Sequence, residues 1–177
     1  MTYTQHYDSP LGGILLAADD VGLTGLWFDG QKYFARGLSN ERIEQETSVL
    51  AEAKRWLDIY FTGKAPDFTP PLHPIGSAFR RSVWEILLQI PYGQTTTYGE
   101  IARQLSKKQG LERMSAQAVG GAVGHNEISI IIPCHRVVGA DGSLTGYAGG
   151  IGKKEKLLEL ERADMSRFFV PKKGTAL

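Results

Sequence analysis

The chain of 177 residues has one cysteine, four histidines, and no apolar run approaching the ~20 residues a membrane-spanning helix needs. A single cysteine excludes an internal disulfide and any Cys-rich zinc site. Met1-Thr2-Tyr3-Thr4 shows no basic region followed by an apolar stretch, so a cytoplasmic location is expected, or a nuclear one in a eukaryotic cell. Strong charge is also missing, since the formal net charge is only +1. That figure hides an asymmetry. Residues 1–76 carry 6 Lys/Arg against 10 Asp/Glu, net −4, and residues 77–177 carry 14 against 9, net +5. A polyanion would be drawn to the second half, although the bias is mild.

Hydrophobic residues make up 42% of the chain, ample for a packed core. The one cysteine lies in Ile130-Ile131-Ile132-Pro133-Cys134-His135-Arg136-Val137-Val138. Three isoleucines in a row suit a short buried strand. Pro133 cannot continue its ladder, so the strand is expected to stop where Cys134 begins. A thiol reacts as thiolate, and a nearby cation or base lowers its pKa; His135 and Arg136 supply both kinds of neighbour. The alternative is a buried, inert cysteine.

Ahead of this stretch, Tyr3–Tyr7, Gly13–Ala18 and Leu23–Phe28 read as strands of an antiparallel meander. A polar loop follows. Leu50, Ala53, Leu57, Tyr60 and Phe61 then share one helical face, with Ser48 as the expected N-cap. Pro66, Pro70, Pro71 and Pro74 mark a linker, giving a support domain over 1–76 and a second domain over 77–177. His6 and His73 read as ordinary surface or packing histidines. The fold class is α/β (α+β): a small antiparallel sheet plus a helix, then a mostly helical half.

In that second half Ser77 caps a helix ended by Pro91, and Thr97-Tyr98-Gly99-Glu100 is a capping-box pattern opening another. Ser115 caps a further helix, Ala116–Gly124. The pair suggests a helix-turn-helix with a long connection. This last helix is nearly free of bulk: Ala116, Ala118, Gly120, Gly121, Ala122 and Gly124. Something must come close to its backbone, either a neighbouring helix or a nucleic-acid groove. Thr145-Gly146-Tyr147-Ala148-Gly149-Gly150 reads as a flexible loop, with Tyr147 either walling a pocket for a flat ligand or packed down. Leu157, Leu158 and Glu161 share a helical face, so Glu161, if buried, needs a partner such as His135. The tail from Ala163 to Leu177, with Lys172-Lys173, reads as frayed.

Pro133-Cys134-His135-Arg136-Val137, with Gly124-His125-Asn126 upstream, the small-residue helix, Gly146-Tyr147-Ala148-Gly149-Gly150 and the helix carrying Lys156, Leu157, Leu158, Leu160 and Glu161, resembles the O6-alkylguanine-DNA alkyltransferases. The resemblance spans Ser77 to about Arg162. It implies a ribonuclease H-like N-terminal domain and a winged helix-turn-helix-like element in the C-terminal one. It also implies direct-reversal repair, in which O6-alkylguanine is flipped out of duplex DNA and the alkyl group passes irreversibly, once per molecule, to a protein cysteine. By that resemblance Cys134 is the acceptor, His135 and Glu161 prepare it through a water, Asn126 braces the site, and Tyr98 assists flipping and donates to guanine N3. Tyr147, Ala148, Val137 and Arg136 contact the base, and Ser115, Ala116, Gln117, Ala118, Gly120 and Gly121 meet the DNA. Phosphate contacts from Arg80, Lys107, Lys108 and Arg113 are also expected. Gln117 stands where most members carry an arginine that fills the gap left by the flipped nucleotide. No cofactor or metal is called for, the partner is double-stranded DNA containing O6-alkylguanine, and a monomer is expected. The competing classes are a lesion-binding alkyltransferase-like protein, which lacks the cysteine, and a thiol hydrolase built on Cys134, His135 and Glu161.

Overall fold

A computed structural model describes residues 1–111 and 113–171. The chain forms two compact units, one of Met1–Ile75 with Glu127–Ile131, the other of Gly76–Asn126 with the chain from Ile132 onward.

The first unit is built on three antiparallel strands, β1 (Thr2–Ser9), β2 (Gly12–Ala18) and β3 (Leu23–Phe28). A fourth, β4 (Arg42–Glu44), pairs parallel with β1 to give the order β3-β2-β1-β4. β4 is only three residues long and exposed throughout, too short for its alternation to register as a strand, which hides it in the sequence. β2 and β3 are buried almost throughout because both faces are covered. Leu15, Ala17 and Trp27 pack under Ala35 and Leu38 on one side. Helix α1 (Ser48–Tyr60) lies against β1, β2 and β3, burying Leu50, Ala53, Trp56, Leu57 and Tyr60. Its N-cap is Thr47 rather than Ser48: the Thr47 hydroxyl accepts from the Leu50 amide, which places Ser48 inside the first turn. The Trp27 indole folds over Gly25, where a Cβ would lie 1.9 Å from the ring.

The proline-rich segment is more than a linker. Pro71 to His73 run beside β3, with Leu23 N donating to Pro71 O at 2.8 Å and His73 N to Leu23 O at 2.7 Å. His73 Nδ1 also meets Asp19 Oδ2 at 2.6 Å. Farther along β3, Leu26 N donates to Glu127 O and Ser129 N to Leu26 O, while Trp27 Nε1 donates to Glu127 Oε2 at 2.5 Å. The open edge of β3 is thus covered twice by non-adjacent chain, satisfying backbone groups that water would otherwise serve.

The second unit stacks α2 (Ala78–Leu87), α3 (Tyr98–Lys108) and α4 (Ala116–Gly124), capped by the hydroxyls of Ser77, Thr97 and Ser115. Trp84 of α2 donates its indole N–H to Ala122 O of α4 at 2.9 Å, a close approach that the small residues permit. Two short parallel strands, β5 (Thr96–Thr97) and β6 (Val137–Val138), and helix α5 (Ile151–Leu160) complete the unit. The segment following α5 is docked over 163–171, against the expectation of a frayed tail. Leu144 N donates to Phe169 O and Phe169 N to Gly142 O. Ala163, Met165 and Phe168 pack on Val138, Leu144 and Leu158. Lys172, Lys173 and the rest of that predicted tail lie outside the described residues.

Phe168→Ala should therefore lower stability by about 1–3 kcal/mol, less than for a wholly buried ring because Phe168 is half-buried. An unchanged urea midpoint would show that the segment contributes no packing.

Candidate functional site

After α4 the chain reaches Asn126, which is 4% exposed. Its side-chain amide donates to Ile132 O at 2.9 Å, closing the neck of a loop formed by Glu127–Ile131. The isoleucine run is not the strand its composition predicts. Only Ile128 makes a bridge, to Leu26, and residues 129–131 turn, with Ile130 at a positive φ of 69°. The isoleucines are buried without being laddered, so their apolar character reports burial alone. Pro133 leads into a tight helical turn, Cys134–Arg136, in which Val137 N donates to Cys134 O. β6 follows directly and anchors the turn to β5. The thiol therefore sits in a buried turn bounded by Asn126 and a short sheet.

Glu161 caps the C-terminus of α5 and is 2% exposed. Its two oxygens collect four donors. His135 Nε2 lies 2.6 Å from Oε2, Arg136 Nε donates to Oε1 at 2.8 Å, and Arg136 Nη2 donates to Oε2 at 3.1 Å. Gly93 N donates to Oε1 at 3.0 Å. Gly93 has φ +79°, and a Cβ there would lie 2.9 Å from the Glu161 carbonyl, so a side chain would break this approach. Burial pushes the Glu161 carboxyl up, but the hydrogen bonds from His135 and Arg136, together with the Arg136 charge, outweigh it and hold the group well below the usual carboxylate range. Burial pushes His135 below its ordinary 6.5; Glu161 opposes this, and Arg136 and Lys154 reinforce it. The stable pair is thus an ionised Glu161 with a neutral imidazole donating through Nε2. The remaining nitrogen, Nδ1, is buried and meets no hydrogen-bond partner among the described residues.

Arg136 does not act as the sequence suggests. Its guanidinium is spent on Glu161 and on Ile90 O, the latter at 2.7 Å, so its side chain neither reaches toward a ligand nor lends its charge to the thiol. His135, being neutral, lends no charge either. The cation acting on Cys134 is Lys154, which lies within α5 and is wholly buried. Its Nζ donates to Val137 O at 2.5 Å and Thr145 O at 2.7 Å. The signal was available: positions 154, 157, 158 and 161 share one helical face, and the buried leucines and Glu161 define it. Burial pushes the Cys134 thiol up from 9.0, opposed by a hydrogen bond from Asn126, by the Lys154 charge and by the amides of Cys134 and His135.

The Tyr98 phenol donates to the same Thr145 carbonyl at 3.2 Å, and burial followed by the proximity of Cys134 pushes it up to about 12, so it stays a donor at any ordinary pH. Tyr147 is packed down, 1% exposed, with its ring edge-on to His135 at 6.4 Å. Val137 is buried and Ala148 half-buried. Cys134, His135, Glu161, Asn126, Tyr98, Tyr147 and Val137 are therefore gathered into one buried neighbourhood.

Helix α4 presents a different surface. Val119, Ala122 and Val123 face inward, whereas Ser115, Ala116, Gln117, Ala118 and Gly121 are exposed and Gly120 is half-buried. A Cβ on Gly121 or Gly124 would meet nothing within 4 Å, so packing inside the protein does not account for either glycine. Arg103, Lys107, Lys108 and Arg113 are exposed around the α3–α4 connection; Arg80 is half-buried. Arg103 is engaged by Glu100 and Lys108 is 4.0 Å from Glu85.

A family model described as the DNA-binding domain of 6-O-methylguanine DNA methyltransferase matches residues 78–163, and one described as its ribonuclease-like domain matches residues 2–74. A methylated-DNA–protein-cysteine methyltransferase from Methanosarcina acetivorans is 44% identical over 160 residues, covering 90% of this chain and 97% of the relative. One from Mycobacterium tuberculosis is 42% identical over 172 residues, covering 95% and 99%. The crystal structure of Mycobacterium tuberculosis OGT in complex with DNA superposes with a TM-score of 0.76 at 41% identity, covering 94% of each chain.

The site's electrostatics carry a pH signature. Because the folded state keeps His135 neutral below its ordinary 6.5, the unfolded chain takes up that proton first, and stability falls as pH drops through 6.5. Glu161 adds a loss of the same sign below its ordinary 4.5. His135→Gln should flatten the thermal-melting slope between pH 7 and 5.5 relative to wild type, by up to about 1.4 kcal/mol per pH unit for one proton. Parallel slopes would count against a neutral His135.

Proposed function

The chain belongs to the 6-O-methylguanine DNA methyltransferase family, and on that premise we propose that it repairs DNA by direct reversal, moving the alkyl group of O6-alkylguanine onto Cys134. The observation that carries the assignment of Cys134 is its setting: a buried thiol in one tight turn with a neutral histidine whose Nε2–H is committed to Glu161.

With Nε2 so committed, His135 Nδ1 is the lone-pair nitrogen, and it can take the thiol proton through a water, since adjacent residues in a turn pair poorly with each other directly. Glu161 fixes the tautomer and, anchored by Arg136 and Gly93, does not move as the imidazole gains charge. The thiolate attacks the alkyl carbon in one displacement: the S–C bond forms, the C–O6 bond breaks with its electron pair on guanine, and guanine recovers a proton. Tyr98 serves the leaving base. Its hydroxyl donates to Thr145 O in the free protein, so binding exchanges that bond for guanine N3. The thioether on Cys134 has no leaving path, and each molecule acts once.

Guanine O6 is paired inside the duplex, so the nucleotide must be extruded at a cost of a few kcal/mol. The exposed small face of α4 supports insertion into the minor groove, because its open glycines let a backbone come close. Gln117 lies exposed at the start of that helix and would fill the vacated space without adding charge toward phosphate. This reading puts the protein where the genome is, in the cytoplasm or, in a eukaryote, the nucleus.

Incubation with a duplex carrying one labelled O6-methylguanine should leave one label per molecule, located on Cys134. Cys134→Ala should abolish transfer while still binding the lesion, and transfer surviving in that variant would overturn the assignment. Separately, Gln117→Arg should tighten duplex binding in a titration at fixed salt, by the added charge and stacking of a guanidinium; equal or weaker affinity would remove Gln117 from the interface.

A further inference from the structure

Lys154 is the one wholly buried lysine among the described residues, and the steps above do not use it. Its Nζ donates to two neutral carbonyls, Val137 O and Thr145 O, and no carboxylate among the described residues pairs with it. A buried ammonium left with dipoles alone is expensive, and such a group is usually paired or neutral. Both its carbonyls are tied to the reacting centre: Val137 closes the turn that carries Cys134, and Thr145 also accepts the Tyr98 hydroxyl. One group facing it can become an anion that no other cation claims, and that group is the Cys134 sulfur.

We propose that Lys154 is the counter-ion of the Cys134 thiolate, a positioning residue that makes a buried sulfur ionisable and loses its partner when that sulfur is alkylated. The inference rests on Cys134 being the acceptor. The groups facing Lys154 are Cys134 and His135 on the turn, with Glu161 and Arg136 behind His135, and the Tyr98 phenol on α3. His135 is neutral, Glu161 and Arg136 balance each other, and Tyr98 stays protonated, so the sulfur and the amine titrate as a pair. The two shifts agree with this. Burial lowers Lys154 to about 8 while Cys134 pulls it back up, and Lys154 in turn pulls the thiol down against its burial.

The proton count makes the pair a record of use. With the thiol proton passed to His135 Nδ1, the thiolate faces the Lys154 ammonium and the two charges offset each other inside the site. On transfer the sulfur's electron pair becomes the S–C bond, the C–O6 pair stays on guanine, and guanine takes up one proton. The thioether cannot be charged, so the ammonium no longer faces an anion and its proton is the one the spent site gives up most readily. Lys154 should titrate lower after alkylation than before.

Iodoacetamide tests this without DNA, because Cys134 is the sole cysteine and its carbamidomethylation, with iodide leaving, can be counted by mass. Lys154→Met should move the midpoint of the rate–pH profile up by about one pH unit or more, a roughly tenfold loss of thiolate at neutral pH. Lys154→Arg, which keeps the charge, should restore part of the shift. A Lys154→Met profile that overlays the wild type overturns the proposal. If that variant does not fold, NMR of labelled lysine side chains in the wild-type protein decides the matter. The buried ε-amine should titrate lower once methyl iodide has capped Cys134, and an unmoved midpoint overturns the proposal. A protein that shows the coupling but takes no label from O6-methylguanine would refute the repair reading alone.

Discussion

The Glu161 carboxylate is the interaction on which the rest of the second unit's site depends. It joins three separate pieces of chain: the turn at 134–136 through His135 and Arg136, the C-terminus of α5 from which it projects, and the loop after α2, held through Gly93 and, by way of Arg136 Nη1, through the Ile90 carbonyl. A buried charge with one partner gains little, because desolvation cancels the Coulomb attraction. Here both oxygens are saturated by donors from rigid elements, so the charge is compensated where it stands. The consequence is directional: with the carboxylate fixed and ionised, the imidazole has one orientation and one tautomer available, and its free nitrogen is determined.

Much of this was legible in the sequence, and the reason lies in the kind of signal. Capping residues act locally, so Ser77, Thr97 and Ser115 could be read from three-residue spacings. The meander followed from alternation and turns. Glu161 was legible because an acid among leucines has to be answered by a partner. The failures share a cause as well. The isoleucine run looked like a strand because burial and strand pairing leave the same composition behind, and only the backbone tells them apart. Arg136 looked like a neighbour of the thiol because it is two residues away, but in a tight helical turn successive side chains leave in different directions, and its guanidinium leaves toward Glu161. Lys154 is easily passed over between Lys153 and Lys156, because a lysine reads as surface by type; only its place on the face of Leu157, Leu158 and Glu161 marks it as buried.

Burial and reactivity pull against each other at Cys134. A sulfur that is 6% exposed is protected from adventitious alkylation, and the same exclusion of water opposes its ionisation. Asn126, two backbone amides and a cation answer this from fixed positions, so the cost of ordering them is met during folding and not during the displacement. Asn126 has a second duty, since the same side chain closes the loop neck at Ile132. A change there would alter the route of the chain and the environment of the sulfur together.

That loop has a consequence for synthesis on the ribosome. The edge of β3 near Leu26 is covered by Glu127–Ser129, and Trp27 and Glu127 are 100 residues apart in the chain. At about 5–20 residues per second, the nascent first unit waits roughly 5–20 s with a hydrophobic edge strand open. In that interval neighbouring chains on a polysome offer it the same kind of backbone partner. Burying Trp27 under Ala35 and Leu38, residues made within the next dozen, shields the apolar face of the strand long before its edge is closed.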